Sequence, residues 1–162
     1  MKTNGEFESA RVFDTTLRDG EQAPRTSFSY DEKRTIAAAL DEMGTHVVEA
    51  GFPVNSDAEF EAVSDIAANT AATTCGLARV VDKDVEAALD SGVEMVHVFA
   101  STSDVQLEDS MHATREEVVE RSVNAVERVK EAGATAMFSP MDATRTDEEY
   151  LREVVSAVSE VG

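Results

Sequence analysis

The sequence predicts an α/β protein, a parallel sheet with helices packed outside it, and three observations carry that reading. Short, partly apolar runs suited to strands recur at Arg11 to Thr15, His46 to Glu49, Thr73 to Ala78, Met95 to Ala100 and Thr135 to Ser139. Amphipathic helical patterns lie between them. Gly44, Gly92 and Gly133 each stand between a helical pattern and the next strand, where a helix C-terminal cap belongs.

Taken in order, Arg11, Val12 and Phe13 open the first strand, and Arg18 and Asp19 fall where strand becomes loop, with Gly20 giving freedom for a sharp exit. The helical patterns carry start signals. Ser29 with Glu32, Ser56 with Glu59, Thr114 with Glu117 and Thr146 with Glu149 fit the capping box, in which a hydroxyl and a glutamate satisfy free amides. Links from helix to strand are short, and no linker, low-complexity tract or close repeat interrupts the alternation. A chain of 162 residues with 42% hydrophobic content suits one core, so one domain is expected.

Charge narrows the partners. With 33 acidic against 14 basic residues the formal charge is -19, which repels nucleic acid phosphates and anionic membrane surfaces. Only four of the basic residues are lysine, and this acidic, lysine-poor composition leads us to expect a halophilic protein, kept soluble where salt screens self-repulsion. The alternative is an acidic protein of ordinary cytoplasm. The single cysteine, Cys75, has no intrachain disulfide partner and lies in the apolar run TTCGLA, so it reads as core rather than as a catalytic thiol. No stretch reaches the apolar length of a membrane span, MKTNGEFESA lacks the hydrophobic segment of a signal peptide, and a cytoplasmic location is expected.

The densest chemistry is FDTTLRDGEQ, from Phe13 to Gln22, with an arginine, carboxylates and a carboxamide just after an apolar run. An arginine beside an aspartate can polarise a substrate oxygen while the carboxylate holds a hard divalent cation. An Arg18/Asp19 ion pair closing a turn is the bland alternative. Among the three histidines, His97 sits between Val96 and Val98, as a buried, satisfied histidine would, while His46 and His112 have only structural context. Arg79 suits either a carboxylate ligand or an exposed helix start, and Ser101, Thr102 and Ser103 either donate to a ligand or form a polar loop.

The same decapeptide resembles the opening signature of the acyl-CoA Claisen-condensing synthases, the family of 2-isopropylmalate, citramalate and homocitrate synthases. VVEAGFPVNSDAEFEAV (Val47 to Val63), LARVVDKDVEAAL (Leu77 to Leu89), HVFASTSD (His97 to Asp104) and FSPMDATRTD (Phe138 to Asp147) are similar to the family's next blocks, in order and spacing. The resemblance implies a (β/α)8 TIM barrel of which this chain holds the first five β/α units, a truncated barrel: residues 1–10 as an N-terminal tail and 11–162 as the N-terminal portion of the catalytic domain. A fragment of a longer protein or a chain completed by a partner fits that length, and a stand-alone open sheet is the third option. The resemblance also implies that the active site lies at the C-terminal ends of the strands.

By that resemblance, Arg18 engages the keto acid carbonyl oxygen, Asp19 is a metal ligand, and Gln22, Glu49, His97, Ser139 and Asp142 line the substrate pocket. The cofactor implied is a divalent metal, Mg2+, Mn2+ or Zn2+, with acetyl-CoA as co-substrate. The family's other metal ligands are a His-x-His pair that this sequence lacks. The family also reads FSxEDA at the fifth strand, with a glutamate in acid/base work, where this chain has Met141, and methionine cannot transfer a proton. Asp142, one position on, points differently from a strand-end residue.

The expected function is that of a 2-isopropylmalate synthase-like acyltransferase, joining acetyl-CoA to 2-oxoisovalerate in leucine biosynthesis, incomplete in this chain and homodimeric at full length. Citramalate synthase, using pyruvate, and homocitrate synthase are the near alternatives, and a lyase running the reverse chemistry is more distant. The alternative of another class is a catalytically silent fragment or binding module. Nucleotide sequence downstream separates them, because a continuing frame with three more units and His-x-His belongs to the enzyme.

Overall fold

The computed structural model describes residues 10–162, so the expected tail, apart from Ala10, lies outside the described residues. Strands β1 (Phe13–Asp14), β2 (Val47–Gly51), β3 (Thr73–Arg79), β4 (Met95–Ser101) and β5 (Thr135–Met141) form a single parallel sheet in sequence order. Helices α1 (Tyr30–Glu42), α2 (Asp57–Asn69) and α3 (Asp82–Asp90) follow the first three strands. After β4 a single turn, α4 (Asp104–Gln106), runs into a π turn at Leu107–Met111 before α5 (Arg115–Glu131), and α6 (Glu148–Val161) follows β5.

Alternation along the strands sorts the sheet into two faces. Val48, Ala50, Ala78, Val96, Val98 and Ala100 join Ile66, Val85, Val118, Val129 and Val154 from the helices in one buried core. This is the outer, helix-covered face, and each fully buried Val or Ile there contributes about 1.5–3 kcal/mol by removal from water. The intervening positions, Glu49, Cys75, Leu77, His97, Phe99, Ser139 and Met141, occupy the inner face. Register places Leu77 beside His97, and Phe99 beside Ser139. Cys75 is buried, but on the inner face, where burial pushes its thiol pKa far up and leaves it inert.

The first strand is shorter than its sequence suggests. The Thr15 carbonyl accepts from the amides of Arg18, Asp19 and Gly20 at 3.1, 2.8 and 3.1 Å, so the chain curls immediately after Asp14. Leu17, fully buried, anchors that curl. Gly20 is not among the residues with positive φ; the left-handed position in this loop is Arg25, at φ 69°, so the freedom ascribed to Gly20 is not what shapes the exit.

Two of the four capping boxes are complete, at Ser29/Glu32 and Thr114/Glu117. Ser56 caps the amide of Glu59 but the Glu59 side chain is committed elsewhere. At α6 the cap is Asp147, which accepts from the Tyr150 amide, because the Thr146 hydroxyl is engaged by Asp142 and Thr102. Gly44, Gly92 and Gly133 end their helices at φ 75°, 80° and 84°, as expected of left-handed C-terminal caps.

At the sheet edge, Thr135 donates to Glu94 and Met141 accepts from Thr102, so this parity of β5 bonds toward β4. Pro140, of the other parity, faces the open edge, where its missing N–H leaves no ladder bond unmade.

Candidate active site

The strand ends and the β1 loop bring four predicted residues into one hydrogen-bonded chain on the inner face. Arg18 donates from Nε to Glu49 Oε2 at 2.7 Å, and Glu49 Oε1 lies 2.6 Å from His97 Nδ1. His97 Nε2 in turn lies 2.8 Å from Ser139 Oγ. Glu49 is fully buried; one of its oxygens accepts from Arg18 and the other pairs with His97 Nδ1, whose donor or acceptor role follows the imidazole tautomer. His97 also meets the edge of the Phe13 ring, 6.1 Å between centroids at an 88° angle, which leaves the imidazole little freedom to turn.

A bulge helps aim Glu49. The β2–β3 register shifts between Glu49 and Gly51, and the Cβ that any other residue would carry at Gly51 comes within 2.1 Å of Glu59 Oε1. Glycine is needed at that position for close approach of the α2 side chain.

Arg18 also donates from Nη1 to Asp19 Oδ1 at 3.0 Å, and the Asp19 side chain is 66% exposed. Gln22 ends the adjacent 3-10 turn, Gly20–Gln22, and is exposed. The Arg18/Asp19 ion pair is therefore a real contact, and Arg18 also reaches the inner face through Glu49. Among the described residues no group of three or more His, Cys, Asp or Glu side chains converges as a metal site. Asp19 offers a single exposed carboxylate, too few for a divalent cation, so the described residues do not by themselves fit a metal centre.

Asp142 stands apart from the Arg18 chain. It adopts φ 64°, and its carboxylate accepts from Ser103 Oγ at 2.5 Å and from Arg145 Nε at 2.8 Å. Those two contacts, Arg145 first, hold its carboxyl below the usual range. Thr102 bonds the Met141 carbonyl and the Thr146 hydroxyl, so the polar run after β4 and the turn after β5 are clipped together by buried side chains. Met141 itself is 40% exposed at the inner-face end of β5.

Arg79 is held by Asp84 through Nε and Nη2, at 2.6 and 3.0 Å, and its guanidinium lies 5.7 Å from the centroid of Phe52. That pairing raises its pKa further and fixes it at the end of β3. His46 accepts from the Val12 amide at 3.0 Å and pins β1, a structural use as expected.

Sequence reasoning missed a second charged cluster beneath the β1 loop. Lys33 is buried and pairs with Glu59 and with Glu21, the latter at 2.7 Å. A lysine three residues into α1, on the helical face that carries Ala37, was its only signal.

The HMGL-like family profile matches residues 9–162. The chain belongs to the HMGL-like family. It is 51% identical over 156 residues to a probable 2-isopropylmalate synthase of Methanopyrus kandleri, covering 96% of this chain and 31% of that protein. A probable 2-isopropylmalate synthase of Archaeoglobus fulgidus is 49% identical over 149 residues, covering 91% of this chain and 30% of that protein. The chain thus spans about a third of the length of these curated relatives. The crystal structure of an HMG-CoA lyase of Bacillus subtilis superposes with a TM-score of 0.76 at 19% identity, over 94% of this chain and 55% of that one. At that identity the likeness speaks to fold alone: the five β/α units of this HMGL-like chain form an arc of a (β/α)8 barrel.

Proposed function

We propose that this chain is the N-terminal part of a 2-isopropylmalate synthase-like acyltransferase. The reaction joins the methyl carbon of acetyl-CoA to the keto carbon of 2-oxoisovalerate, in leucine biosynthesis, and hydrolyses the thioester to release CoA. The observation that carries this reading is the Arg18–Glu49–His97–Ser139 chain on the inner face of a barrel arc whose curated relatives include two probable 2-isopropylmalate synthases.

Arg18 polarises the keto oxygen, because a guanidinium held by Glu49 and Asp19 is already oriented when alkoxide charge develops. His97, Ser139, Glu49 and Gln22 shape the keto acid site. Asp142 belongs to that site as support, holding the loops after β4 and β5 through Ser103 and Arg145. Asp19 contributes one carboxylate to a divalent metal site whose other ligands lie beyond these residues. Proton removal from the acetyl group falls to His97 or to a residue outside this chain, since Met141, which cannot transfer a proton, stands at the strand end. The full-length enzyme is further proposed to be a cytoplasmic homodimer of halophilic character.

Following CoA release by the full-length protein with acetyl-CoA and 2-oxoisovalerate, pyruvate or 2-oxoglutarate in turn tests the reading. Preference for 2-oxoisovalerate supports it, preference for pyruvate or 2-oxoglutarate moves it to citramalate or homocitrate synthase, and no keto-acid-dependent release overturns it.

Met141 and the lack of a convergent metal site among the described residues favour a second reading for residues 1–162 alone, that of a catalytically silent module. Acetyl-CoA-dependent product formed by that chain without a partner overturns the second reading.

A further inference from the structure

We propose that Lys33 is a positioning residue, which fixes the Asp19–Gln22 turn against the loop after β2 and so sets where Arg18 and Asp19 are presented. The α1 side chain is 3% exposed and sits between two carboxylates from separate segments, Glu21 of the β1 loop and Glu59 of α2. Each glutamate spends its second oxygen on a loop amide. Glu21 Oε1 accepts from the Phe28 amide at 3.0 Å, and Glu59 Oε1 accepts from the Phe52 amide at 3.0 Å. One buried ammonium therefore ties together the start and end of the β1 loop, α1, the β2 loop and α2.

Geometry connects this cluster to the candidate site on both sides. Glu21 is two residues from Asp19 and shares a 3-10 turn with Gln22, whose amide bonds the Asp19 carbonyl at 3.1 Å. Phe52 meets Phe99 on the inner face, 6.3 Å between centroids, and carries Arg79 over its ring. Gly51 leaves the space into which Glu59 reaches. A buried charged cluster is a poor source of net stability compared with apolar packing, but it is directional, which suits it to fixing one loop against another.

This inference rests on the proposed synthase reading only for its kinetic consequence. In full-length protein, Lys33→Met removes the tie. Glu21→Gln is the milder variant: it keeps an acceptor for the Phe28 amide and leaves the Lys33–Glu59 pair intact. Hydrogen exchange at the amides of Gln22, Ala23, Thr26 and Phe28, read against amides of β3 and β4, is the primary measurement. Exchange about tenfold faster at the loop amides in both variants, with the strands unchanged, is the expected result. The accompanying kinetic result is a fall in kcat on the order of 10²-fold in Lys33→Met with little change in KM for acetyl-CoA, because misplacement of about 1 Å has that cost.

Unchanged loop exchange in Glu21→Gln, or acceleration spread evenly over the strands, overturns the proposal. If Lys33→Met does not fold, Glu21→Gln decides alone. If the parent protein condenses no 2-oxo acid, the synthase reading fails while the exchange data still judge Lys33.

Discussion

Glu49 divides its carboxylate between Arg18 and His97, at 2.7 and 2.6 Å, while being fully buried at the bulge in β2. Arg18 donates to it, and His97 Nδ1 pairs with its other oxygen. A carboxamide keeps one acceptor for Arg18 but loses the charge that pairs with the guanidinium, and its NH2 would require the opposite His97 tautomer. Glu49→Gln should therefore destabilise the fold by about 3 kcal/mol, the scale for breaking a buried pair by removing one partner. Urea denaturation of the variant and parent checks this, and equal midpoints would show that the pairing adds nothing.

Arg18 reaches Glu49 and Asp19 through different nitrogens of one planar group. Lysine keeps the charge but has no such fork. Arg18→Lys in the full-length enzyme should lower kcat on the order of 10²-fold, the scale for losing one oxyanion donor, with a smaller change in KM for the keto acid. A change confined to KM would reassign Arg18 to ground-state binding.

Asp142 gives a pH signature. Its folded pKa lies below the unfolded value because Arg145 and Ser103 bond the charged form. The stabilisation is therefore fully present above the unfolded carboxylate pKa of about 4 and is lost as pH falls through the lower folded value. Asp142→Asn, which suits the left-handed backbone at φ 64°, should cost stability at pH 7 and progressively less below pH 4. Urea midpoints taken at pH 7 and at pH 3 test the sign, and a difference that does not shrink in acid contradicts it.

Salt response follows from charge. At a formal charge of -19, screening by KCl should reduce self-repulsion and raise the melting temperature. Melting curves from 0.1 to 2 M KCl measure it. Equal or greater stability at the low-salt end would sink the halophilic reading.

Legibility in the sequence depended on whether a residue's neighbours were local. Strand and helix order, two complete capping boxes and three glycine caps were readable because each rests on residues within one or two turns of each other. Thr146 was misread because its hydroxyl is claimed by Thr102, a residue of the preceding unit. Gly20 was misread because the Thr15 carbonyl collects three amides and turns the chain without a positive φ there. Arg18, Glu49, His97 and Ser139 could each be named in the sequence, although nothing in their spacing says that they bond to one another.

By itself, then, the sequence determined the β/α alternation, the acidic surface, the family and the candidate residues, since periodicity, composition and local motifs are written in consecutive positions. Only the tertiary structure decided which of those residues meet. Parallel pairing in the order β1 to β5 sets Glu49, His97 and Ser139 on one face of three strands, and the curled β1 loop swings Arg18 onto them. It also decided that Glu59 leaves its expected cap to hold Lys33, and that Asp142 braces loops with Ser103 and Arg145. Apart from the neighbouring Arg145, those partners lie tens of residues apart, and such contests are settled by packing geometry rather than by local propensity.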